Sequence, residues 1–203
     1  MPNSRPRRAV CATCLRPSST CICQWISPVA TSVALLILQH PLEVANAKGS
    51  ARLLHLSVPG SALVAGEQFD PAALSAMLHA GNRTPLLLYP DDAAVAPAPD
   101  AAILANPSAL RLVVLDGTWR KSRKMLHLNP LLQGLPRLAL QGMPASHYRI
   151  RKAHAPDQLS TLEAAAYALA RLDGGEAAFA ALLAGFDGFV AQQTAYVDTA
   201  SRP

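Results

Sequence analysis

Short apolar runs alternate with amphipathic segments along most of the chain. Residues 32–38, 86–89 and 112–115 have the composition of strands that are buried on both faces. Residues 61–64, 135–140 and 147–151 are further candidates for short extended segments. Helical spacing or helix-start signals occupy residues 43–56, 71–78, 120–128, 160–172 and 176–196. This alternation predicts an α/β fold with a mostly parallel sheet that helices cover on both faces.

The chain divides into a small N-terminal segment and one larger domain. Residues 93–100 contain Pro97 and Pro99 and predict a loop that is too short to separate two domains. All four cysteines lie between residues 11 and 23. We therefore predict an N-terminal unit at residues 1–28 and a domain at residues 29–203.

The cysteines predict a metal site. They occur as Cys11-x-x-Cys14 and Cys21-x-Cys23, and no apolar segment with the length of a signal peptide precedes them. We therefore expect a reducing cytoplasm, where four thiolates at this spacing are best explained by one structural zinc ion. A disulfide pair is the alternative. The chain has no uncharged apolar stretch of about 18 residues, so no transmembrane helix is expected.

Basic residues outnumber acidic ones by 18 to 13 and fall in clusters. One cluster lies at a predicted helix start, where the helix dipole disfavours cations. Either a bound phosphate or simple solvation of an exposed face would explain that placement. Two clusters in one chain make a nucleic acid the leading macromolecular partner. The first cluster comprises Arg120, Lys121, Arg123 and Lys124, and the second comprises Arg149, Arg151 and Lys152. Arg16 lies beside the cysteines, where neutralisation of the thiolates is favoured over contact with nucleic acid.

The segment Asp116-Gly117-Thr118-Trp119 is the leading candidate for an active site. It follows the apolar run of residues 112–115 and would lie at the carboxyl edge of a parallel sheet, where such sheets bind ligands. A second strand end carries Leu88-Tyr89-Pro90. The alternative is a strand end, a glycine turn and a solvated helix start. The chain contains neither GxGxxG nor a P-loop, so nicotinamide and nucleoside-triphosphate sites lack their usual motifs.

Ser160-Thr161-Leu162-Glu163 fits a capping box, in which Ser160 is the N-cap and Glu163 bonds back to its amide. The same helix start could also offer N–H groups to a ligand carboxylate. For His40, which precedes Pro41, a core or capping role is favoured over catalysis.

Taken together, these motifs resemble those of the DTW-domain family, of the bacterial tRNA-uridine aminocarboxypropyltransferase type. The resemblance covers nearly the whole chain and includes the four cysteines. The motif that gives the family its name appears here in the form Asp116-x-Thr118-Trp119. The other matching segments are Gln39-His40-Pro41-x-Glu43, Leu88-Tyr89-Pro90, Tyr148-Arg149-Ile150-Arg151-Lys152 and Leu159-Ser160-Thr161-x-Glu163-Ala164.

The resemblance implies a knotted, SPOUT-like α/β fold with a small N-terminal zinc knuckle. It also implies that S-adenosylmethionine donates its 3-amino-3-carboxypropyl group to N3 of a uridine at position 47 in the variable loop of tRNA, and that methylthioadenosine leaves. The residues that would bind S-adenosylmethionine are Tyr89, Asp116, Thr118, Trp119, Leu138, Leu159, Ser160 and Thr161.

The chemistry suggests a role for Asp116. Uridine N3 is a poor nucleophile until its proton leaves, so a nearby carboxylate is the natural general base. Two alternatives remain: an S-adenosylmethionine-dependent RNA methyltransferase, which would release S-adenosylhomocysteine, and a non-enzymatic zinc-knuckle RNA-binding protein. A monomer is favoured for the oligomeric state.

Overall fold

Five parallel strands form the central sheet. The computed structural model describes residues 9–90, 99–146 and 159–200, and its strands lie in the order β2-β1-β4-β3-β5 with every pairing parallel. The sequence prediction of a mostly parallel sheet is confirmed. The strands are β1 (Ala34–Gln39), β2 (Ala62–Ala65), β3 (Thr84–Leu88), β4 (Leu110–Asp116) and β5 (Arg137–Leu138).

Helices connect the strands and form the C-terminal part of the fold. They are α1 (Ala51–Ser57), α2 (Pro71–His79), α3 (Ala101–Leu104), α4 (Trp119–Leu128), α5 (Pro130–Gln133), α6 (Thr161–Asp173) and α7 (Glu176–Ala200). Short 3-10 turns occur at Ser18–Thr20, Cys23–Trp25, Pro41–Glu43, Ala80–Asn82 and Pro107–Ala109.

The sheet is covered on both faces, because alternate strand residues point to opposite sides. In β1, Leu35 and Ile37 join the buried cluster formed with α1, α6 and α7. Leu36 and Leu38 join a second cluster with α2, α4 and α5. The central strand β4 is buried along its whole length and contributes to both clusters. Its carboxyl end is therefore held rigidly between two layers of helices.

Side chains cap the starts of helices α2 and α6. The Asp70 carboxylate accepts a 2.9 Å hydrogen bond from the Ala73 N–H at the start of α2. At the start of α6, Ser160 and Glu163 form the complete capping box. The capping box predicted from the sequence is confirmed.

The predicted helix over residues 43–56 is wrong in its first half. The structure has a 3-10 turn at Pro41–Glu43 and starts α1 only at Ala51. The reason is local: the Asn46 side chain donates to the Glu43 carboxylate at 2.7 Å and accepts from the Lys48 N–H at 3.0 Å. These side-chain bonds favour a turn over a helix. The extended segment predicted at residues 147–151 lies outside the described residues.

The N-terminal segment packs against α7. The Trp25 ring occupies the space beside Gly188, where an added Cβ would lie 2.2 Å from the ring. At Gly185, an added Cβ would lie 2.5 Å from the Trp25 carbonyl oxygen. The Gln192 amide donates to the Cys21 carbonyl at 3.0 Å and accepts from the Trp25 indole N–H. The cysteine segment is therefore anchored to α7.

In the described ranges, no helix combines the length and the apolar character that crossing a lipid bilayer requires.

Candidate active site

Asp116 lies at the carboxyl end of β4 with its carboxylate fixed from two sides. One oxygen accepts a 2.9 Å hydrogen bond from the Gln39 amide, and the other accepts a 2.7 Å bond from the Thr161 hydroxyl. The Asp116 side chain is buried. Its backbone carbonyl accepts from the His40 N–H at 2.9 Å, which continues the pairing of β1 and β4. This carboxylate therefore joins β1, β4 and α6.

The start of α6 is fixed by its own side chains. The Ser160 hydroxyl accepts from the Glu163 N–H at 3.1 Å, and the Glu163 carboxylate accepts from the Ser160 N–H at 2.7 Å. The same carboxylate accepts from the Ser146 hydroxyl at 2.8 Å. Ser50, just before α1, accepts from the Leu162 N–H at 3.3 Å. These bonds set the position of Thr161 relative to Asp116.

An open cleft lies at this edge of the sheet. It brings together three residues that the sequence predicts for cofactor binding: Asp116, Ser160 and Thr161. The remaining lining residues are Glu43, Asn46, Lys48, Gly49, Ser50 and Gly117. Besides Asp116, the cleft wall therefore carries the carboxylate of Glu43 and the ammonium group of Lys48.

Glu43 is a buried carboxylate in the cleft wall that the sequence analysis does not assign to the site. Lys121 donates to one of its oxygens at 2.7 Å, and Asn46 donates to the other at 2.7 Å. Lys121, predicted for RNA contact, is therefore turned toward the cleft wall. The clue in the sequence was the motif Gln39-His40-Pro41-x-Glu43, whose first and last residues both contribute to the site.

Three other predicted cofactor residues form a separate group. The rings of Tyr89 and Trp119 meet edge to face, with centroids 5.9 Å apart, and Trp119 is 47% exposed. Leu138 is buried in β5, and its carbonyl accepts from the Tyr89 N–H at 3.3 Å. Tyr89, Trp119 and Leu138 are not among the residues that line the cleft.

Thr118 and Leu159 flank these groups without lining the cleft. The Thr118 hydroxyl accepts from the Lys121 N–H at 3.4 Å and caps α4. Leu159 is partly buried and directly precedes the capping Ser160. The predicted cofactor residues thus divide between the cleft and the Tyr89–Trp119 side of the same sheet edge.

Arg137 is a further buried residue that the sequence analysis missed. Its guanidinium lies 5.3 Å from the centre of the Tyr89 ring, and Nη1 donates to the Pro90 carbonyl at 3.3 Å. In the described part of the chain, neither Nε of Arg137 nor the Tyr89 hydroxyl has a hydrogen-bond partner. A charged residue inside the apolar run of residues 135–140 was the available signal.

The first basic cluster separates into paired and exposed members. Lys124 forms an ion pair with Glu67 at 2.9 Å, and Lys121 forms the ion pair with Glu43 described above. Lys124 and His40 together lower the pKa of the Glu67 carboxyl below its ordinary value. Arg120 and Arg123 are exposed, and within the described ranges neither forms an ion pair. The second cluster, Arg149, Arg151 and Lys152, lies outside the described residues.

His40 caps the turn that follows β1. Its Nδ1 accepts from the Leu42 N–H at 3.1 Å, and its Nε2 contacts the Glu67 carboxylate at 2.7 Å. A neutral ring with its proton on Nε2 satisfies both bonds. The side chain is buried, so the predicted capping role is confirmed.

The four cysteine sulfurs have the spacing of a tetrahedral metal site. All lie within 4.8 Å of one another, with Sγ–Sγ distances of 3.6 Å for Cys11–Cys23 and 3.7 Å for Cys14–Cys21. Zinc bonds to thiolates of about 2.3 Å give a tetrahedron edge of about 3.8 Å. Disulfide sulfurs would be only about 2.05 Å apart, so the cysteines are unbridged.

The surroundings of these thiols also suit a metal. Backbone N–H groups of Cys14 and Thr13 lower the pKa of Cys11 to about 6. Burial raises the pKa of Cys23 to about 12 in the absence of a cation. A bound zinc ion would offset that burial cost, because a coordinated thiol is deprotonated. Cys11, Cys14, Cys21 and Cys23 therefore fit one zinc ion.

Known proteins resemble this chain over most of its length. The DTW domain family model matches residues 8–194. The tRNA-uridine aminocarboxypropyltransferase 2 of Drosophila melanogaster is 35% identical over 173 residues, which cover 82% of this chain and 68% of the fly protein. The protein of the same name from Macaca fascicularis is 30% identical over 176 residues, covering 82% of this chain and 57% of the macaque protein. The tRNA-uridine aminocarboxypropyltransferase A of Arabidopsis thaliana is 25% identical over 134 residues. No solved structure matches the chain.

Proposed function

Because the chain belongs to the DTW-domain family, we propose that it is a tRNA-uridine aminocarboxypropyltransferase. The proposed reaction moves the 3-amino-3-carboxypropyl group of S-adenosylmethionine to N3 of a uridine, at position 47 in the variable loop of tRNA. One observation carries the proposal from family to site: Asp116, Ser160 and Thr161 meet in one cleft at the carboxyl edge of the sheet. Relatives that align with 82% of the chain are named tRNA-uridine aminocarboxypropyltransferases.

The cleft suits the amino-acid end of S-adenosylmethionine in charge. The amino-acid end of S-adenosylmethionine carries an ammonium and a carboxylate, and the cleft wall offers Glu43 and Lys48 as complementary charges. We assign Tyr89 and the half-exposed Trp119 to the outer edge of the ligand site, with Thr118, Leu138 and Leu159 holding the surrounding backbone.

The reaction needs a deprotonated nucleophile in line with one carbon of the donor. Uridine N3 loses its proton and forms a bond to the γ-carbon of the aminocarboxypropyl group. The bond from that carbon to the sulfonium sulfur breaks, and neutral methylthioadenosine leaves. Asp116 is the proposed acceptor of the N3 proton, because Gln39 and Thr161 hold its carboxylate in one position.

The remaining parts have supporting roles. We propose that residues 1–28 form a zinc-binding knuckle and residues 29–203 the catalytic domain, with a knotted SPOUT-like topology that the parallel sheet is compatible with. Exposed Arg120 and Arg123, together with Arg149, Arg151 and Lys152, would bind tRNA phosphates. A tRNA substrate agrees with the cytoplasm expected from the cysteine chemistry.

The test is to incubate the zinc-loaded protein with S-adenosylmethionine and unmodified tRNA, and to identify both products by mass spectrometry. Methylthioadenosine with aminocarboxypropyluridine is the expected result. S-adenosylhomocysteine with a methylated nucleoside would instead establish an RNA methyltransferase. If calorimetry detects no binding of S-adenosylmethionine at millimolar concentration, that result contradicts both enzyme assignments and favours the non-enzymatic RNA-binding protein.

A further inference from the structure

Arg16 forms a direct contact between the cysteine segment and the cleft. It lies between Cys14 and Cys21 in the sequence, and its side chain reaches the loop that precedes α1. Nη1 donates to the Ala47 carbonyl at 2.5 Å, and Nη2 donates to the Gly49 carbonyl at 2.8 Å. The guanidinium also lies 5.2 Å from the centre of the Phe189 ring.

The loop that Arg16 holds is a wall of the cleft. Asn46, Lys48 and Gly49 line the cleft directly, and Ser50 follows them. Asn46 bonds to Glu43, and Ser50 accepts from the Leu162 N–H at the start of α6. A shift of this loop would therefore displace groups on both sides of Asp116.

A planar guanidinium suits this position. Residues 44–48 are exposed and belong to no helix or strand. Two parallel donors of one guanidinium can bridge two neighbouring carbonyls, whereas a lysine ammonium concentrates its donors at one point. Arginine at residue 16 can thus set the spacing of the Ala47 and Gly49 carbonyls as well as their position.

The cysteines in turn fix Arg16. The Cys11 N–H donates to the Arg16 carbonyl at 2.8 Å, and the Leu15 N–H donates to the Cys11 carbonyl at 2.9 Å. Leu15 adopts a positive φ of 59°, which a leucine rarely does unless its surroundings impose it. A metal ion held by Cys11 and Cys14 would lock this turn and with it the origin of the Arg16 side chain.

We propose that Arg16 is a positioning residue that couples metal occupancy of the four-cysteine site to the affinity of the cleft for S-adenosylmethionine. The inference rests on the proposed function for the identity of the ligand. A free energy of coupling is reciprocal. Zinc therefore strengthens binding of S-adenosylmethionine, and S-adenosylmethionine strengthens binding of zinc by the same factor.

The first experiment compares binding of S-adenosylmethionine by calorimetry in zinc-loaded full-length variants. Arg16→Ala should weaken binding about tenfold or more, because it removes two charge-assisted hydrogen bonds. The affinity of Arg16→Lys for S-adenosylmethionine should lie between that of Arg16→Ala and that of the protein without substitutions. Arg83→Ala is the matched control, since Arg83 also donates to two carbonyls, Ser32 and Leu110, at the amino end of the strands. Its binding should remain within about twofold of the original.

The second experiment measures the reciprocal effect without relying on catalysis. Zinc transfer to a chromogenic chelator is followed with and without saturating S-adenosylmethionine. In the unchanged protein, S-adenosylmethionine should raise the chelator concentration needed for half transfer, and Arg16→Ala should abolish this shift. All variants should start with one zinc ion per chain.

Three outcomes would overturn the coupling. Arg16→Ala could bind S-adenosylmethionine with unchanged affinity, or Arg83→Ala could lose as much affinity as Arg16→Ala. The third is that S-adenosylmethionine has no effect on zinc transfer to the chelator. Formation of methylthioadenosine is scored separately. If it forms while the coupling fails, the proposed function stands alone. If the unchanged protein binds no S-adenosylmethionine, both proposals fall.

Discussion

The Thr161 hydroxyl donates a 2.7 Å hydrogen bond to the Asp116 carboxylate, and so joins the end of the central strand to the first residue of α6. Gln39 donates to the other oxygen from the end of β1. Asp116 is therefore held by partners from two other elements. Any role in the reaction depends on this support, which can be tested by substitutions that remove the charge or the donors one at a time.

Asp116→Asn should separate proton transfer from ligand binding. The amide has the same shape, and Gln39 and Thr161 can reorient to bond with it. If Asp116 accepts the N3 proton, single-turnover transfer should fall about 100-fold or more, while calorimetry shows S-adenosylmethionine binding within a few fold of the original. Asp116→Ala should impair both, because it leaves the Gln39 amide and the Thr161 hydroxyl without their acceptor. An active Asp116→Asn enzyme would rule out the base assignment.

Thr161→Val should weaken ligand binding through loss of the bond to Asp116. A hydrogen bond to a charged group contributes roughly 1.5–3 kcal/mol, so we expect about a tenfold or larger increase in Kd for S-adenosylmethionine. Thr161→Ser retains the hydroxyl and should bind almost normally. Calorimetry on both variants checks this, and equal affinities for Val and Ser would mean that the hydroxyl is not needed.

Combined substitution of Arg120 and Arg123 by alanine should weaken tRNA binding without affecting S-adenosylmethionine. Each lost phosphate contact lowers the slope of log K against log salt by about 0.7–0.9, so the double variant should lose between about one and two units of slope. Filter binding across a salt series measures this directly.

Lys121→Ala provides the contrast within the same helix. Because Lys121 pairs with Glu43 in the cleft wall, its loss should affect S-adenosylmethionine affinity more than the salt slope. The reverse pattern, with Lys121 dominating the slope and the two arginines contributing nothing, would contradict the division of this cluster.

His55 should make stability depend on pH. Burial and the nearby Arg52 cation lower the pKa of His55 below its ordinary value of 6.5. The unfolded chain then takes up a proton before the folded chain does, so the free energy of unfolding falls as the pH drops below 6.5. His55→Gln should reduce this fall in urea unfolding of the zinc-loaded protein between about pH 7.5 and 5.5. Parallel curves for the two proteins would show that His55 does not contribute.

The sequence predicted those features that depend on short segments. Alternation of apolar runs and amphipathic segments indicated the parallel sheet, and Ser160 with Glu163 indicated the start of α6. Prediction failed over residues 43–50, where helical spacing is present but Asn46 bonds to the backbone and to Glu43 instead. The spacing of apolar residues carries no information about such side-chain bonds, which compete with helix formation.

Local sequence patterns could not predict which residues meet in the site. Motifs placed Asp116 and Thr161 at element ends, but the bond between them joins residues 45 positions apart. Arg16 was interpreted as a neutralising charge, whereas its partners lie 31 and 33 positions away in the loop before α1. Nothing in the spacing of either segment encodes that contact, because it arises from the packing of the cysteine segment onto α7.

The notch that Gly185 and Gly188 leave for Trp25 has a consequence for the order in which this protein assembles. Each glycine weakens an isolated helix by about 1 kcal/mol relative to alanine, so the contact with Trp25 costs α7 part of its own helix stability. The surface that receives the cysteine segment belongs to α7, which follows strands β1 to β5 in the chain. On the ribosome, the cysteine segment therefore stays undocked until α7 has been synthesised.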